Sequence, residues 1–191
     1  MKPKYHEIIN LSSQFFNREG FLNPSIDRIA EAAGISKMTF YRYFEDKEAL
    51  IKAVLEEKHN TFILELKSLI AENETAKDKL FTIFDFYQNW FARESFHGCM
   101  FTRAVVELGN TMPALKSITF DFKSGLYRLI QEILLDYFSP IKSERVAFVI
   151  LMLIDGAISV SQTMDKEIRE FPPAMSAWAA AKTIIAAEKG D

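Results

Sequence analysis

Apolar positions return every three or four residues along most of the chain, the period of helices with one buried face. Ile8, Phe15 and Phe16 make the stripe of a first helix, and Gly20 stops it as a residue just past a helix end can. Asn23 and Pro24 open a second, short helix, with Asn as the cap and Pro at the first helical position. Ile26, Ile29, Ala30 and Ala33 then fall on one face, and Gly34 breaks the run. Ser36 caps a third helix from Lys37 to about Tyr43, in which only Phe40 and Phe44 are spaced for burial. From Asp46 the pattern continues through Leu50, Val54, Phe62, Leu66 and Leu69 to about Ile70, predicting a long helix. After the polar break at Ala71–Thr75, helices are predicted over about 76–93, 99–108, 113–137, 142–164 and 173–188. Pro113, Pro140 and the pair Pro172-Pro173 sit at the breaks, where helices tolerate proline. The expected fold is all-α.

Composition supports this reading. Gly and Pro together are 13 of 191 residues, about half the average share, and all-β folds need more of both at their turns. Apolar residues are 49% and charged residues 26%, so the chain has the means for a packed core. The single cysteine excludes a disulfide framework and a cysteine-based zinc site. The longest apolar run, Val146 to Ile154, ends at Asp155, well short of the roughly 20 residues a membrane span needs. The N-terminus has no apolar signal-peptide region. The expectation is a soluble cytoplasmic protein without a membrane partner.

Net charge is −3, which by itself speaks against a general nucleic-acid binder. The first fifty residues balance seven positive against seven negative charges. Their arrangement is more informative. Two short helices joined by a tight glycine turn make a helix-turn-helix, and small Ala30 and Ala33 let them cross closely. The outer face of the third helix carries Lys37, Met38, Thr39, Tyr41, Arg42 and Tyr43. Lys and Arg meet phosphates or guanine edges, and Tyr and Thr hydroxyls reach phosphate oxygens. The competing reading is a three-helix subdomain with a solvated polar face, for which two solvent-facing tyrosines are a poor choice.

The segments Glu19-Gly20-Phe21, Ser25 to Ala30, Ala33 to Lys37, Thr39 to Phe44 and Lys47 to Leu50 resemble the N-terminal signature of the TetR family of transcriptional regulators. The resemblance covers the first quarter of the chain. It implies a homodimer on double-stranded DNA, a helical C-terminal domain that binds a small-molecule effector, and repression relieved by that effector. It also implies phosphate contacts from Ser25, Thr39, Tyr41, Tyr43 and Lys47, and base-edge contacts from Lys37 and Met38. Arg42 is open to either role. Pro24 departs from the pattern, standing where many members have a capping Thr or Ser. The domains expected are a helix-turn-helix domain at 1–46 and an effector-binding and dimerisation domain at 47–191.

Most of the 17 phenylalanines lie beyond residue 80. Each reads first as core, but the family resemblance requires some face to line an effector pocket. Such pockets are mostly apolar, and Phe84, Trp90, Met100 and Tyr127 are the candidates, for a mainly apolar or aromatic effector. Cys99 reads as a small buried side chain, with a redox-sensing thiol beside His97 as the rival. No cofactor or metal is expected, since His6, His59 and His97 are far apart. The last two helices carry apolar stripes through Val149, Leu153, Ala157 and Trp178, which suit either a monomer core or a four-helix interface between two subunits. An all-helical enzyme lacks any recognisable catalytic spacing here, so the chain is not expected to be one. A helical interaction module without DNA binding would have no use for Lys37, Thr39, Tyr41, Tyr43 and Lys47.

Overall fold

The computed structural model describes residues 3–164 and 171–190, and all of the secondary structure among them is helical. The helices are α1 (Pro3–Glu19), α2 (Ile26–Ala32), α3 (Lys37–Tyr41), α4 (Lys47–Ala71), α5 (Ala76–Ala92), α6 (Met100–Leu108), α7 (Ala114–Leu134), α8 (Pro140–Thr163) and α9 (Pro173–Lys189). The all-α expectation is met, and most boundaries fall within two residues of those predicted.

The differences have local causes. Helix α2 begins at Ile26, because Ser25 rather than Asn23 is its cap: the Ser25 hydroxyl accepts from the Arg28 N–H. Asn23 instead donates its side-chain amide to the Glu19 carbonyl at the end of α1, and Pro24 is buried ahead of the helix. Helix α3 ends two residues early. The N–H groups of Arg42 and Tyr43 reach back only three residues, to Thr39 and Phe40, which tightens the last turn. Helix α7 stops at Leu134, and α8 starts at Pro140 behind Ser139, with the proline where its missing N–H costs nothing.

The chain forms two compact units. One takes the chain as far as Thr61 together with Cys99–Phe122; the other takes Phe62–Gly98 and the chain from Lys123 onward. These packing units partition the chain differently from the functional division expected at 46/47. That division also includes residues 1–2, 165–170 and 191, which lie outside the described residues.

In the first unit, the head, made of α1 to α3 and the start of α4, has a core built from Ile8, Phe16, Phe21, Ile29, Phe40 and Leu50, all fully buried. Phe16 and Phe21 rings lie 5.1 Å apart, and Tyr5 stacks on Phe44 at 5.1 Å. Phe101 of α6 stacks on Phe122 of α7 at 3.9 Å. Helix α6 also grips the turn after α1: Glu107 accepts from the Phe21 N–H at 2.7 Å, and Arg103 donates to the Asn17 carbonyl at 2.8 Å.

In the second unit, α9 packs against α8 and α5. Trp178 of α9 meets Phe84 and Phe81 of α5 at 5.4 and 6.1 Å. Glu188 of α9 pairs with Lys142 and Arg145 of α8. By length and composition, α8 is apolar enough to cross a membrane, which corrects the view that no segment qualifies. Its inner positions Val146, Ala147, Ile150 and Ile154 are buried against its helical neighbours, as in the core helix of a bundle.

Candidate nucleic-acid interface

The third helix is presented outward by a small number of anchors. Phe40 is its buried residue, and the Phe40 ring lies 5.6 Å from that of Phe44. The Ser36 hydroxyl accepts from the Thr39 N–H at 3.1 Å and lies 2.9 Å from the Thr39 hydroxyl, satisfying the first turn. Gly34 at φ +62° makes the turn from α2, a conformation side chains resist. The remaining α3 side chains are consequently free of the core. Met38 is 81% exposed, Lys37, Tyr41 and Arg42 are exposed, and Thr39 and Tyr43 are half-buried.

The expected DNA contacts therefore gather around one short helix. Lys37, Met38, Thr39, Tyr41, Arg42 and Tyr43 lie on it or in the turn that ends it; Ser25 caps α2, and Lys47 begins α4. The two lysines have internal partners that the sequence did not announce. Lys47 Nζ donates to the Leu22 carbonyl at 3.0 Å, so it ties the α1–α2 turn to α4. Burial pulls its ammonium below the ordinary lysine value, opposed by the charge of Glu107. Lys37 Nζ lies 2.9 Å from Asp27 Oδ1, joining the start of α3 to the start of α2.

Behind this face, Glu19 holds two arginines. Arg28 donates to both Glu19 oxygens, through Nη1 to Oε2 and through Nη2 to Oε1 at 3.0 Å. Arg18 adds a third bond at 2.7 Å. Those hydrogen bonds, from Arg28 first, hold the Glu19 carboxyl down at about 2. The Arg28 guanidinium also sits 4.7 Å above the Phe15 ring. Sequence reasoning missed this cluster because Arg28 is nine residues from Glu19, in a different helix.

The effector candidates lie in different surroundings. Phe84 is fully buried against Trp178. Trp90 is half-buried among other rings, 4.8 Å from Phe96 and 5.9 Å from Tyr87. The Tyr127 hydroxyl approaches the Glu144 carbonyl at 3.5 Å, and burial raises its phenol above the ordinary value. Met100 belongs to the first unit, the other three to the second. Cys99 is half-buried at the N-cap of α6. Among the described residues there is no group of three or more His, Cys, Asp or Glu side chains suited to a metal ion.

The interface candidates divide. Ala157 is 6% and Trp178 7% exposed, so both are spent inside one chain's own packing. Val149 and Leu153 are half-buried. The outward apolar positions of α8 include Phe148 at 57% and Met152 at 52%, and beside them Gly156 has open space above it.

Comparison with known proteins places this arrangement. The family model described as bacterial regulatory proteins, tetR family, matches residues 8–54, which take in most of α1, all of α2 and α3, and the start of α4. The fatty acid metabolism regulator protein of Bacillus subtilis is 34% identical over 79 residues, 41% of this chain and 41% of that protein. The chain thus matches well under half the length of that relative. Two solved structures share the fold at low identity. A TetR-family transcriptional regulator of Streptomyces coelicolor superposes with a TM-score of 0.87 at 18% identity, covering 97% of this chain and 96% of that one. The regulator FadR of Bacillus subtilis, solved with stearoyl-CoA, gives 0.70 at 19% identity over 95% and 98%.

Proposed function

Because the chain belongs to the tetR family of bacterial regulatory proteins, we propose that it is a ligand-responsive transcriptional regulator, a repressor released from a pseudo-palindromic operator by a small effector. The observation that carries this reading is α3: a five-residue helix held by one buried ring, with Lys37, Met38, Tyr41 and Arg42 all directed outward. A helix so placed can lie in a major groove, its side chains reaching base edges and its flanks meeting phosphates. We assign the reading of DNA to residues 1–46, with phosphate contacts from Ser25, Thr39, Tyr41, Tyr43 and Lys47 and base contacts from Lys37 and Met38. Effector binding and dimerisation fall to residues 47–191. The protein would act in the cytoplasm as a homodimer, its two α3 helices about 34–36 Å apart on successive grooves.

The effector is mainly apolar or aromatic on this reading. Its support is the density of rings in the second unit, where Trp90 and Tyr127 are only partly covered. That FadR was solved with stearoyl-CoA supports a long apolar group as one class to try. The effector must favour one conformer over the other, or DNA binding does not change. A contact within the first unit is suited to pass such a preference on, since Glu107 and Arg103 of α6 bond directly to the turn after α1.

Selection of bound duplexes from a random DNA pool tests the function. The expected result is a pseudo-palindromic consensus with half-sites one helical turn apart, and release on adding an apolar ligand. Failure to enrich any duplex would sink the proposal.

A further inference from the structure

We propose that Asp27 is a specificity-determining residue of the DNA face, acting with Lys37 as one unit that reads a G·C pair in each half-site; this rests on the DNA-binding reading above. Asp27 is the second residue of α2 and Lys37 the first of α3. The lysine ammonium touches both carboxylate oxygens, at 2.9 Å to Oδ1 and 3.1 Å to Oδ2. Asp27 also holds the lysine's affinity for its proton above the ordinary value.

Stability does not require this pair. Both side chains are exposed, and exposed ion pairs contribute little to folding. Its consequence falls instead on the ligand. The face otherwise offers Lys37, Arg42, Lys47 and several hydroxyls to a polyanion. A carboxylate there repels phosphate and occupies the leading cation. Asp27 therefore opposes sequence-independent binding at the tip of α3.

The pair also has a chemistry of its own. The ammonium has three donors. The carboxylate uses at most two of them, leaving one for an acceptor on DNA, while the carboxylate keeps lone pairs for a donor. In the major groove guanine presents acceptors at O6 and N7, and cytosine presents a donor at N4. Lys37 donating to guanine and Asp27 accepting from cytosine complete the pairing of both. An adenine in place of the guanine turns its N6 donor toward Lys37 and its partner's O4 acceptor toward Asp27, both unfavourable; the reversed pair, with thymine facing Lys37, keeps an acceptor and a donor but sets its methyl where guanine has N7. Bare phosphate satisfies only the lysine.

The experiment compares the full-length protein with Asp27→Ala, Asp27→Asn, Lys37→Ala and the double variant Asp27→Ala/Lys37→Ala. Each is titrated at several salt concentrations with the selected duplex, with duplexes carrying one G·C pair of the half-site changed to A·T, and with scrambled DNA. Asp27→Ala should bind scrambled DNA more tightly. Its salt slope should steepen by about one per half-site as Lys37 turns to phosphate. Discrimination should fall on the order of tenfold at one G·C pair. Lys37→Ala should lose discrimination at the same pair, and the double variant should lose no more than either. Asp27→Asn should steepen the salt slope like Asp27→Ala, since the slope follows charge. The proposal is overturned if the two Asp27 variants keep the wild-type base preference, or if Asp27→Ala and Lys37→Ala affect different base pairs. It is overturned equally if Asp27→Ala weakens binding to every duplex alike together with a lowered melting temperature, the signature of a residue that serves only the start of α2. A wild-type protein that selects no duplex removes the DNA-binding reading itself, and does so before any variant is made.

Discussion

Gly20 has a conformation and a neighbour that only glycine satisfies together. Its φ is +81°, and a Cβ there would lie 2.6 Å from Glu107 Oε1. The carboxylate can swing aside, but it then gives up the Phe21 N–H. Gly20→Ala should cost about 2 kcal/mol, from left-handed strain and the loosened hydrogen bond. In a chain of this size that lowers the melting temperature by about 4–8 °C. In a Glu107→Ala background the penalty should shrink to the strain alone. Equal penalties in both backgrounds would show that Glu107 does not crowd this turn. Glu19 gives a prediction of a different kind. Its carboxyl is lowered from its ordinary value near 4.5 to about 2 by Arg28 and Arg18. A depressed carboxylate stabilises the fold above its unfolded value, and that stability is lost as pH falls through the folded one. Wild-type melting temperature should therefore drop between about pH 4.5 and about pH 2 more steeply than that of Glu19→Gln. Parallel curves over that window would show that the arginines do not hold the charge.

At the scale of elements, α3 depends on its cap more than a longer helix would. It has five residues and a single buried ring. Ser36→Ala should cost about 1 kcal/mol of stability. It should also weaken specific and scrambled DNA alike, since the proposed phosphate and base contacts share the helix. Binding titrations check this, and a selective loss on the specific site alone would mean that the cap does not order the helix. The elements themselves were legible because their signals are local: Gly20 and Gly34 end helices at positive φ, and the buried spacing of Phe40 and Phe44 shows in four residues of sequence. The α2 cap was harder, because Asn23, Pro24 and Ser25 are each acceptable at a helix start. The burial of Pro24 and the pull of the Glu19 carbonyl on Asn23 decide it. The contacts that tie the head together were not legible at all. Glu107 meets Phe21 across 86 residues of sequence, and no periodicity connects the two. Aromatic positions had the same difficulty in another form. Phe84 and Trp90 occupy the same helix and look alike in sequence, yet one is sealed against Trp178 and the other only half-covered.

For the whole molecule, the proposed homodimer raises the question of which face of α8 and α9 would meet a second subunit. Ala157 and Trp178 are consumed by the chain's own packing. A charge placed at Ala157 would be buried within one chain, where leaving it unpaired costs several kcal/mol. Ala157→Arg should therefore unfold the second unit. The outward apolar surface of α8 runs instead through Phe148 and Met152, one helical turn apart and so on one face. On α9, Ala179, Thr183 and Ala186 are exposed and small enough for close approach of another helix. A two-fold axis through such a face would bury each patch against its own copy, as a closed dimer requires. Phe148→Arg should therefore produce a folded monomer: sedimentation at micromolar concentration should show one chain, and far-UV circular dichroism should keep its helical signal. The monomer should hold DNA far more weakly, because two linked half-sites gain from effective concentration what one cannot. Ala157→Arg is the contrasting arm, with helical signal lost along with association. If Phe148→Arg remains a dimer, the subunits meet elsewhere; if it loses its helices, Phe148 belongs to the core of one chain and not to the surface between two.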